Sequence, residues 1–254
     1  MNRIWVCGRW PLRTEAKSLS EAIEVGGNRT IKHEKRIQHL SANAWALHHA
    51  LQIVQSRKTR RRGTVVDLCA GIGLWASIIE DELHPEHLWL SDLDPGCCAS
   101  LRKSFPKAEV AISSYNDMKI RQADLVCMDI TICTATRVFQ DKPTVPLVEM
   151  LKENITWILI SDCAAPKLHL NAKHYGKVLG TDPTDYIHYV ELYSDELLRR
   201  TGASIHTAIY TSNNDRPHSC YFLITDFFGP VRFRKLHSVP PTTFNKKEGL
   251  MSWS

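Results

Sequence analysis

The sequence lacks long hydrophobic runs, zinc-type cysteine spacing and a leader-like N-terminus, and each absence excludes a class of protein. No apolar stretch approaches the ~20 residues that a membrane-spanning helix requires. No Cys-x-x-Cys pair or Cys/His ladder has metal-ligand spacing, so we expect no metal site. The first residues contain no apolar core or small-residue cleavage site of a signal peptide. Together these absences predict a cytoplasmic protein without a metal.

The composition is that of an ordinary globular chain of 254 residues, with 43% hydrophobic and 23% charged residues. This length is sufficient for one α/β domain with a sizeable core. Of the eight cysteines, five lie in apolar runs, and they are Cys69, Cys127, Cys133, Cys163 and Cys220. We therefore expect buried free thiols in a reducing compartment rather than disulfides.

The distribution of apolar, basic and proline residues divides the chain into three predicted regions. Residues 1–60 form a polar, basic N-terminal extension with one helix, predicted by apolar residues at helical spacing: Leu40, Ala44, Leu47, Leu51 and Val54. Residues 61–230 form the main domain. Residues 231–254 are rich in proline and basic residues, which predicts a flexible tail.

Within the main domain, strand-like apolar runs alternate with helical patterns. The predicted strands are TVVDLC, HLWLSD, EVAIS, ADLVCMD and TWILISD, and a long helix ends at Gly202 before two strands that form a hairpin. This alternation predicts a Rossmann-like, seven-stranded, mostly parallel sheet with helices on both faces and a C-terminal antiparallel strand. The helix-strand-loop-strand ending is the order found in S-adenosylmethionine-dependent methyltransferases.

The strongest local motif is VVDLCAGIGLWAS, in which a strand is followed by a short glycine turn and a helix. Glycines let the backbone pass close to a ligand, and the turn lies at the end of the sheet where open α/β folds bind ligands. The helix N-terminus offers N–H donors for a carboxylate. The candidate contacts are Asp67, Ala70, Gly71, Gly73 and Trp75. A tight packing turn would give a similar pattern.

The next strand ends in SDLDP, about twenty residues after the glycine turn. A carboxylate at this position accepts the two ribose hydroxyls of a nucleoside, and we favour Asp92 for this role. Asp94 is the competing residue, but it precedes Pro95 and is suited to cap the following helix. Farther along, SSYND places Asn116 and Asp117 where the adenine amino group is expected; an ordinary polar turn is the alternative.

From about Gly63 to Phe228 the chain resembles class I S-adenosylmethionine-dependent methyltransferases, and within them the FtsJ-type RNA 2′-O-methyltransferases. DLCAGIGLWAS resembles the first motif of that family, SDLDP its second acidic strand, and ADLVCMD its fourth strand, which ends at Asp129. The resemblance implies S-adenosylmethionine as cofactor, bound by the motif residues above together with Asp129.

The FtsJ-type enzymes use a Lys-Asp-Lys-Glu set, whose ammonium groups favour the developing alkoxide. Asp129 matches the aspartate, although an aspartate that ends a strand can also simply bond the next loop. The strand-end lysine is replaced by Ser161 and Asp162, with Lys167 a few residues later as the catalytic candidate. The other two members have no match, because SCYFLI contains no glutamate and the helix before the first motif has His48 and His49.

RNA is the favoured partner, through the basic segment Arg57–Arg62. The net charge of +5 is by itself a weak indication, and a charge run is often only a solvated surface. The chain has neither the Asp/Asn-Pro-Pro-Tyr run of adenine amino-methylation nor the Pro-Cys pair of cytosine C5 chemistry. Two alternatives stay open: a methyltransferase of the same fold acting on protein or a small molecule, and an inactive cofactor-binding scaffold.

Overall fold

A computed structural model describes the secondary structure of a large part of the chain. The described residues are 4–6, 45, 47–56, 63–71, 73–114, 119–128, 154–163, 179–211, 217–225, 232–238, 242–245 and 250–253. They belong to two compact units: residues 1–118 with 239–254, and residues 119–238. Among the described residues, no helix is long and apolar enough to cross a membrane.

The first unit contains, in chain order, β1 (Ile4–Val6), α1 (residues 47–56), β2 (Thr64–Leu68), α2 (Leu74–Leu83), β3 (His87–Asp92), α3 (Pro95–Ser104) and β4 (Glu109–Ile112). The second unit contains β5 (Gln122–Met128), β6 (Asn154–Cys163), α4 (Tyr186–Thr201), β7 (Ser204–Thr211), β8 (Pro217–Thr225) and β9 (Arg232–Ser238). The strands β10 (Thr242–Asn245) and β11 (Leu250–Trp253) return to the first unit.

The strands β2, β3 and β4 form a parallel sheet whose register aligns their carboxyl ends. Leu68 lies opposite Ser91, and Asp92 lies opposite Ile112. Asp92 is therefore level with Cys69, the first residue after β2. Strand β2 is buried from Val65 to Leu68, and this buried stretch includes the carboxylate of Asp67.

Helix α1 confirms the predicted N-terminal helix over the described residues. Leu47, Ala50, Leu51 and Val54 are all fully buried along one side. They recur every three or four residues, which places them on one face of the helix. The helix thus contributes to the core of the first unit.

In the second unit, β5 and β6 are parallel, β8 is antiparallel to both β6 and β7, and β9 is parallel to β7. The antiparallel pair of β7 and β8 confirms the predicted hairpin strands. Helix α4 ends at Gly202 with φ of 64°, a conformation that favours glycine, so this predicted helix end is also confirmed. Buried aromatic side chains of Trp157, Tyr189 and Phe222 form part of the core.

These strands confirm the predicted fold class. In the first unit β2, β3 and β4 are parallel, and in the second β5, β6 and β7 are parallel, with β8 antiparallel between β6 and β7.

The region that composition assigns to a flexible tail, residues 231–254, instead contains three strands. β9 pairs in parallel with β7 at the edge of the sheet of the second unit, and β11 pairs with both β1 and β10 in a three-stranded sheet of the first unit. Proline and lysine content does not separate a flexible tail from an edge strand, because edge strands tolerate polar and charged residues.

Candidate functional site

The turn after β2 has an unusual backbone. Cys69, Gly71 and Gly73 have φ of 64°, 54° and 95°, so three positions in five residues lie in the left-handed region. The turn is closed by bonds from the Ala70 N–H to the Ser91 carbonyl (2.8 Å) and from the Gly73 N–H to the Ala70 carbonyl (2.9 Å). The backbone therefore folds back over the end of β3.

Gly73 is required for packing as well as for conformation. A Cβ built at this position would lie 2.5 Å from Cε2 of Phe105 and 3.0 Å from Cδ2 of Leu101. Phe105, which follows α3, is only 2% exposed and has little room to move. At Gly71, in contrast, a Cβ would meet no atom of the described residues within 4 Å. The two glycines thus have different roles: Gly73 permits close packing of the two helices, and Gly71 borders open space.

The N-terminus of α2 has no side-chain cap. Its N-cap residue is Gly73, which has no side chain that could accept a hydrogen bond. The first turn of the helix contains no acidic residue. Backbone N–H groups in the first turn of a helix lack partners within the helix and carry a partial positive charge. This end of α2 is therefore suited to an anionic group.

Asp92 is bound to the glycine turn through its carboxylate. Oδ2 accepts the Gly71 N–H at 2.8 Å, and Oδ1 accepts the Asp94 N–H at 2.9 Å. The side chain is half-buried. A carboxylate offers about four lone-pair positions, so further donors can still bind. The structure brings together Gly71 and Asp92, two of the predicted site residues.

Asp94 has the capping role that the sequence predicts. Its Oδ1 accepts the Gly96 N–H at 2.7 Å and the Cys97 N–H at 3.4 Å, and Pro95 begins the helix. The exposed Asp94 side chain therefore caps α3, whereas the Asp92 carboxylate accepts a hydrogen bond from the glycine turn after β2.

Three other predicted contacts lie deeper. Asp67 is fully buried, Ala70 is 8% exposed and Trp75 is 2% exposed. The Trp75 indole Nε1 is buried and has no hydrogen-bond partner among the described residues.

Two residues that sequence reasoning missed lie beside Asp92. Leu93 is 68% exposed and Ile112 is 53% exposed, both unusually high for large apolar side chains. Ile112 is the cross-strand neighbour of Asp92, and Leu93 follows it directly. For Leu93, the exposure could have been predicted from SDLDP, where this apolar residue lies between two aspartates.

His48, which stands on the helix where the FtsJ-type enzymes have a lysine, is committed to a structural contact. Its imidazole Nδ1 lies 2.6 Å from Oε1 of Glu82 on α2, and Nε2 lies 3.0 Å from Nε2 of Gln52. The side chains of His48 and Glu82 are 7% and 5% exposed. Gln55 also donates to the Glu82 carbonyl at 2.8 Å. His48 therefore attaches α1 to α2 and does not replace an exposed lysine.

The remaining predicted residues, Asn116, Asp117, Asp129, Lys167 and the segment Arg57–Arg62, lie outside the described residues. Ser161, at the position of the expected strand-end lysine, is fully buried in β6. Among the described residues, no group of three or more His, Cys, Asp or Glu side chains could hold a metal ion.

Comparisons with solved structures identify the fold. Magnesium protoporphyrin IX methyltransferase from Synechocystis PCC 6803, solved with bound S-adenosylmethionine, matches with a TM-score of 0.53 at 10% identity, covering 83% of this chain and 91% of the other. The plantazolicin methyltransferase BpumL, in complex with S-adenosylhomocysteine, matches with a TM-score of 0.51 at 12% identity, covering 86% and 95%. The fold is that of the class I methyltransferases. No family model and no curated protein matches the sequence.

Proposed function

We propose that this protein is an S-adenosylmethionine-dependent methyltransferase. The observation that carries the proposal is the carboxylate of Asp92, bound to the Gly71 N–H at the end of the sheet where open α/β folds bind their ligands. The solved structures that share the fold include methyltransferases with the cofactor or its demethylated product bound.

Three features of the described residues support cofactor binding at this turn. Asp92 retains lone pairs for the two ribose hydroxyls after its two backbone bonds. The exposed side chains of Leu93 and Ile112 offer an apolar surface for the adenine ring on either side of Asp92. The uncapped N-terminus of α2 offers N–H donors for the methionine carboxylate. When bound, the cofactor supplies an activated methyl group for in-line transfer.

Calorimetry tests the proposal directly. We expect the purified protein to bind S-adenosylmethionine and S-adenosylhomocysteine with micromolar-range affinity, the level common for cofactor and substrate sites. Absence of binding to either compound at millimolar concentration would contradict it.

We favour RNA as the substrate and the ribose 2′-hydroxyl as the acceptor. The resemblance to FtsJ-type motifs and the basic segment Arg57–Arg62 support this choice, because clustered arginines neutralise phosphates. Asp129 and Lys167 are the candidate catalytic residues, with Asp129 orienting the acceptor hydroxyl and Lys167 stabilising its developing negative charge. Incubation with labelled cofactor and total RNA, followed by nucleoside analysis, tests the acceptor; protein and metabolite pools serve as parallel substrates.

The incomplete Lys-Asp-Lys-Glu set favours one second candidate, a cofactor-binding domain without turnover. His48 is occupied by Glu82, and Ser161 is buried where a lysine is expected. Cofactor binding without methyl transfer to RNA, protein or metabolites would support this candidate over the enzyme.

Asp129→Asn separates the two possibilities. The substitution preserves shape and removes the charge, so we expect turnover to fall by roughly 10²-fold or more while cofactor affinity changes far less. Lys167→Ala should produce a similar loss if Lys167 acts in place of the strand-end lysine. Full activity of Asp129→Asn on the identified acceptor would exclude an FtsJ-like mechanism.

A further inference from the structure

The backbone of Asp92 is fixed as firmly as its carboxylate. The Asp92 carbonyl accepts the Ser113 N–H at 3.0 Å from the residue that follows β4. It also lies 3.4 Å from Sγ of Cys98 in the first turns of α3. The peptide group that orients the Asp92 side chain therefore has two donors from two different elements.

Cys98 connects three elements through one thiol. Its Sγ lies 3.3 Å from the Ala111 carbonyl on β4, in addition to the Asp92 carbonyl on β3. The residue is fully buried. Burial raises the pKa of the Cys98 thiol above its usual value, so the proton that makes it a donor remains in place at neutral pH.

The neighbouring Cys97 provides a natural contrast. It is half-buried, and its side chain makes no hydrogen bond among the described residues. Only its backbone N–H is engaged, with Asp94. Removing the Cys97 thiol therefore removes no hydrogen bond at the end of β3, whereas removing that of Cys98 removes the thiol contacts to the Asp92 and Ala111 carbonyls.

We propose that Cys98 is a positioning residue for cofactor binding, which acts by holding the Asp92 main chain so that the carboxylate faces the ribose. This inference rests on the proposed function. A carboxylate that is already oriented loses less conformational freedom when it binds two hydroxyls, so affinity depends on what fixes it. Cys98 is fully buried and contacts the Asp92 carbonyl rather than its carboxylate, so the proposed effect needs no contact between Cys98 and the cofactor.

The test compares Cys98→Ala and Cys98→Ser with Cys97→Ala by calorimetry with S-adenosylhomocysteine. We expect Cys98→Ala to weaken binding by roughly three- to tenfold, the range of one ordinary hydrogen bond. Cys98→Ser retains a donor and should recover most of the affinity, and Cys97→Ala should bind like the wild type. If the cavity in Cys98→Ala prevents folding, Cys98→Val fills the space and also lacks the donor.

A double-mutant cycle distinguishes positioning from a general loss of stability. In an Asp92→Asn background, Cys98→Ala should have little further effect on affinity, because it acts through the same carboxylate. Additive losses, or equal affinity of Cys98→Ala and wild type, would overturn the inference. Failure of the wild type to bind S-adenosylhomocysteine at all would instead refute the proposed function.

Discussion

The turns after β2 and β3 occupy equivalent places in the same sheet, but only one of them provides a side-chain cap for the helix that follows. After β3, Asp94 caps α3 with its own carboxylate, and Pro95 starts the helix. After β2, Gly73 leaves α2 without a side-chain cap. The N-terminus of α3 is capped by a side chain, whereas that of α2 has no side-chain cap among the described residues.

At the proposed cofactor site, the two similar βα units have different roles. The capped turn is a rigid support, and its preceding residue, Asp92, extends across to the Gly71 N–H of the uncapped turn. The turn after β2 is therefore held by a hydrogen bond from the Gly71 N–H to the residue that ends β3. The substitutions below test this division, from the largest expected effect to the smallest.

Gly73→Ala should be the most damaging. The new Cβ would meet the buried Phe105 ring, and alanine is unfavourable at φ of 95°. Overpacking and backbone strain together predict a loss of about 2–4 kcal/mol in the free energy of unfolding, measured by urea denaturation. Gly71→Ala is the matched control, because it has the same kind of φ but open space, and it should lose about 1–2 kcal/mol. Equal losses would show that contact with Phe105 is unimportant.

Asp92→Ala should weaken binding of S-adenosylhomocysteine at least tenfold, because each charge-assisted bond to a ribose hydroxyl contributes about 1.5–3 kcal/mol. Asp94→Ala should change this affinity much less. Calorimetry on both variants, with thermal denaturation to verify folding, measures the contrast. Comparable losses would mean that the two carboxylates act as a pair, and that the turns are not divided as described.

Asp94→Ala should instead lower stability. Loss of a helix N-cap costs about 1 kcal/mol, so the urea midpoint should fall while the cofactor affinity of the folded protein is retained. An unchanged midpoint would show that α3 does not depend on its cap. Asp94→Asn, which keeps a capping oxygen, serves as control.

Cys69→Gly should have the smallest effect. Cys69 has φ of 64°, which glycine adopts without strain, but glycine also makes the unfolded chain more flexible. We expect a free energy of unfolding that is unchanged or raised by up to about 1 kcal/mol. A substantial loss would indicate that the Cys69 side chain, rather than the backbone alone, stabilises the open turn.

The features that sequence reasoning predicted are local ones. The strand β2, the glycine turn and the Asp94 cap are set by residues within a few positions of one another. The contact between His48 and Glu82 joins residues 34 positions apart, and no local pattern specifies it. Strand β9 was missed for a related reason, since it exists by pairing with β7 rather than by its own apolar alternation.

The exposed apolar residues at the site could be named from sequence only after Asp92 had been placed. Nothing in the amino-acid sequence distinguishes Leu93 and Ile112 from other hydrophobic residues. Their exposure depends on where β3 and β4 end. The acceptor side of the site stays a prediction, because Asp129 and Lys167 lie outside the described residues.

The attachment of α1 to α2 also has a consequence during synthesis. His48 leaves the ribosome 34 residues before Glu82. At roughly 5–20 residues per second, the imidazole waits about 2–7 seconds for its carboxylate. The apolar face of α1 therefore emerges before the first βα unit of the sheet, against which it is buried in the folded protein, has been made.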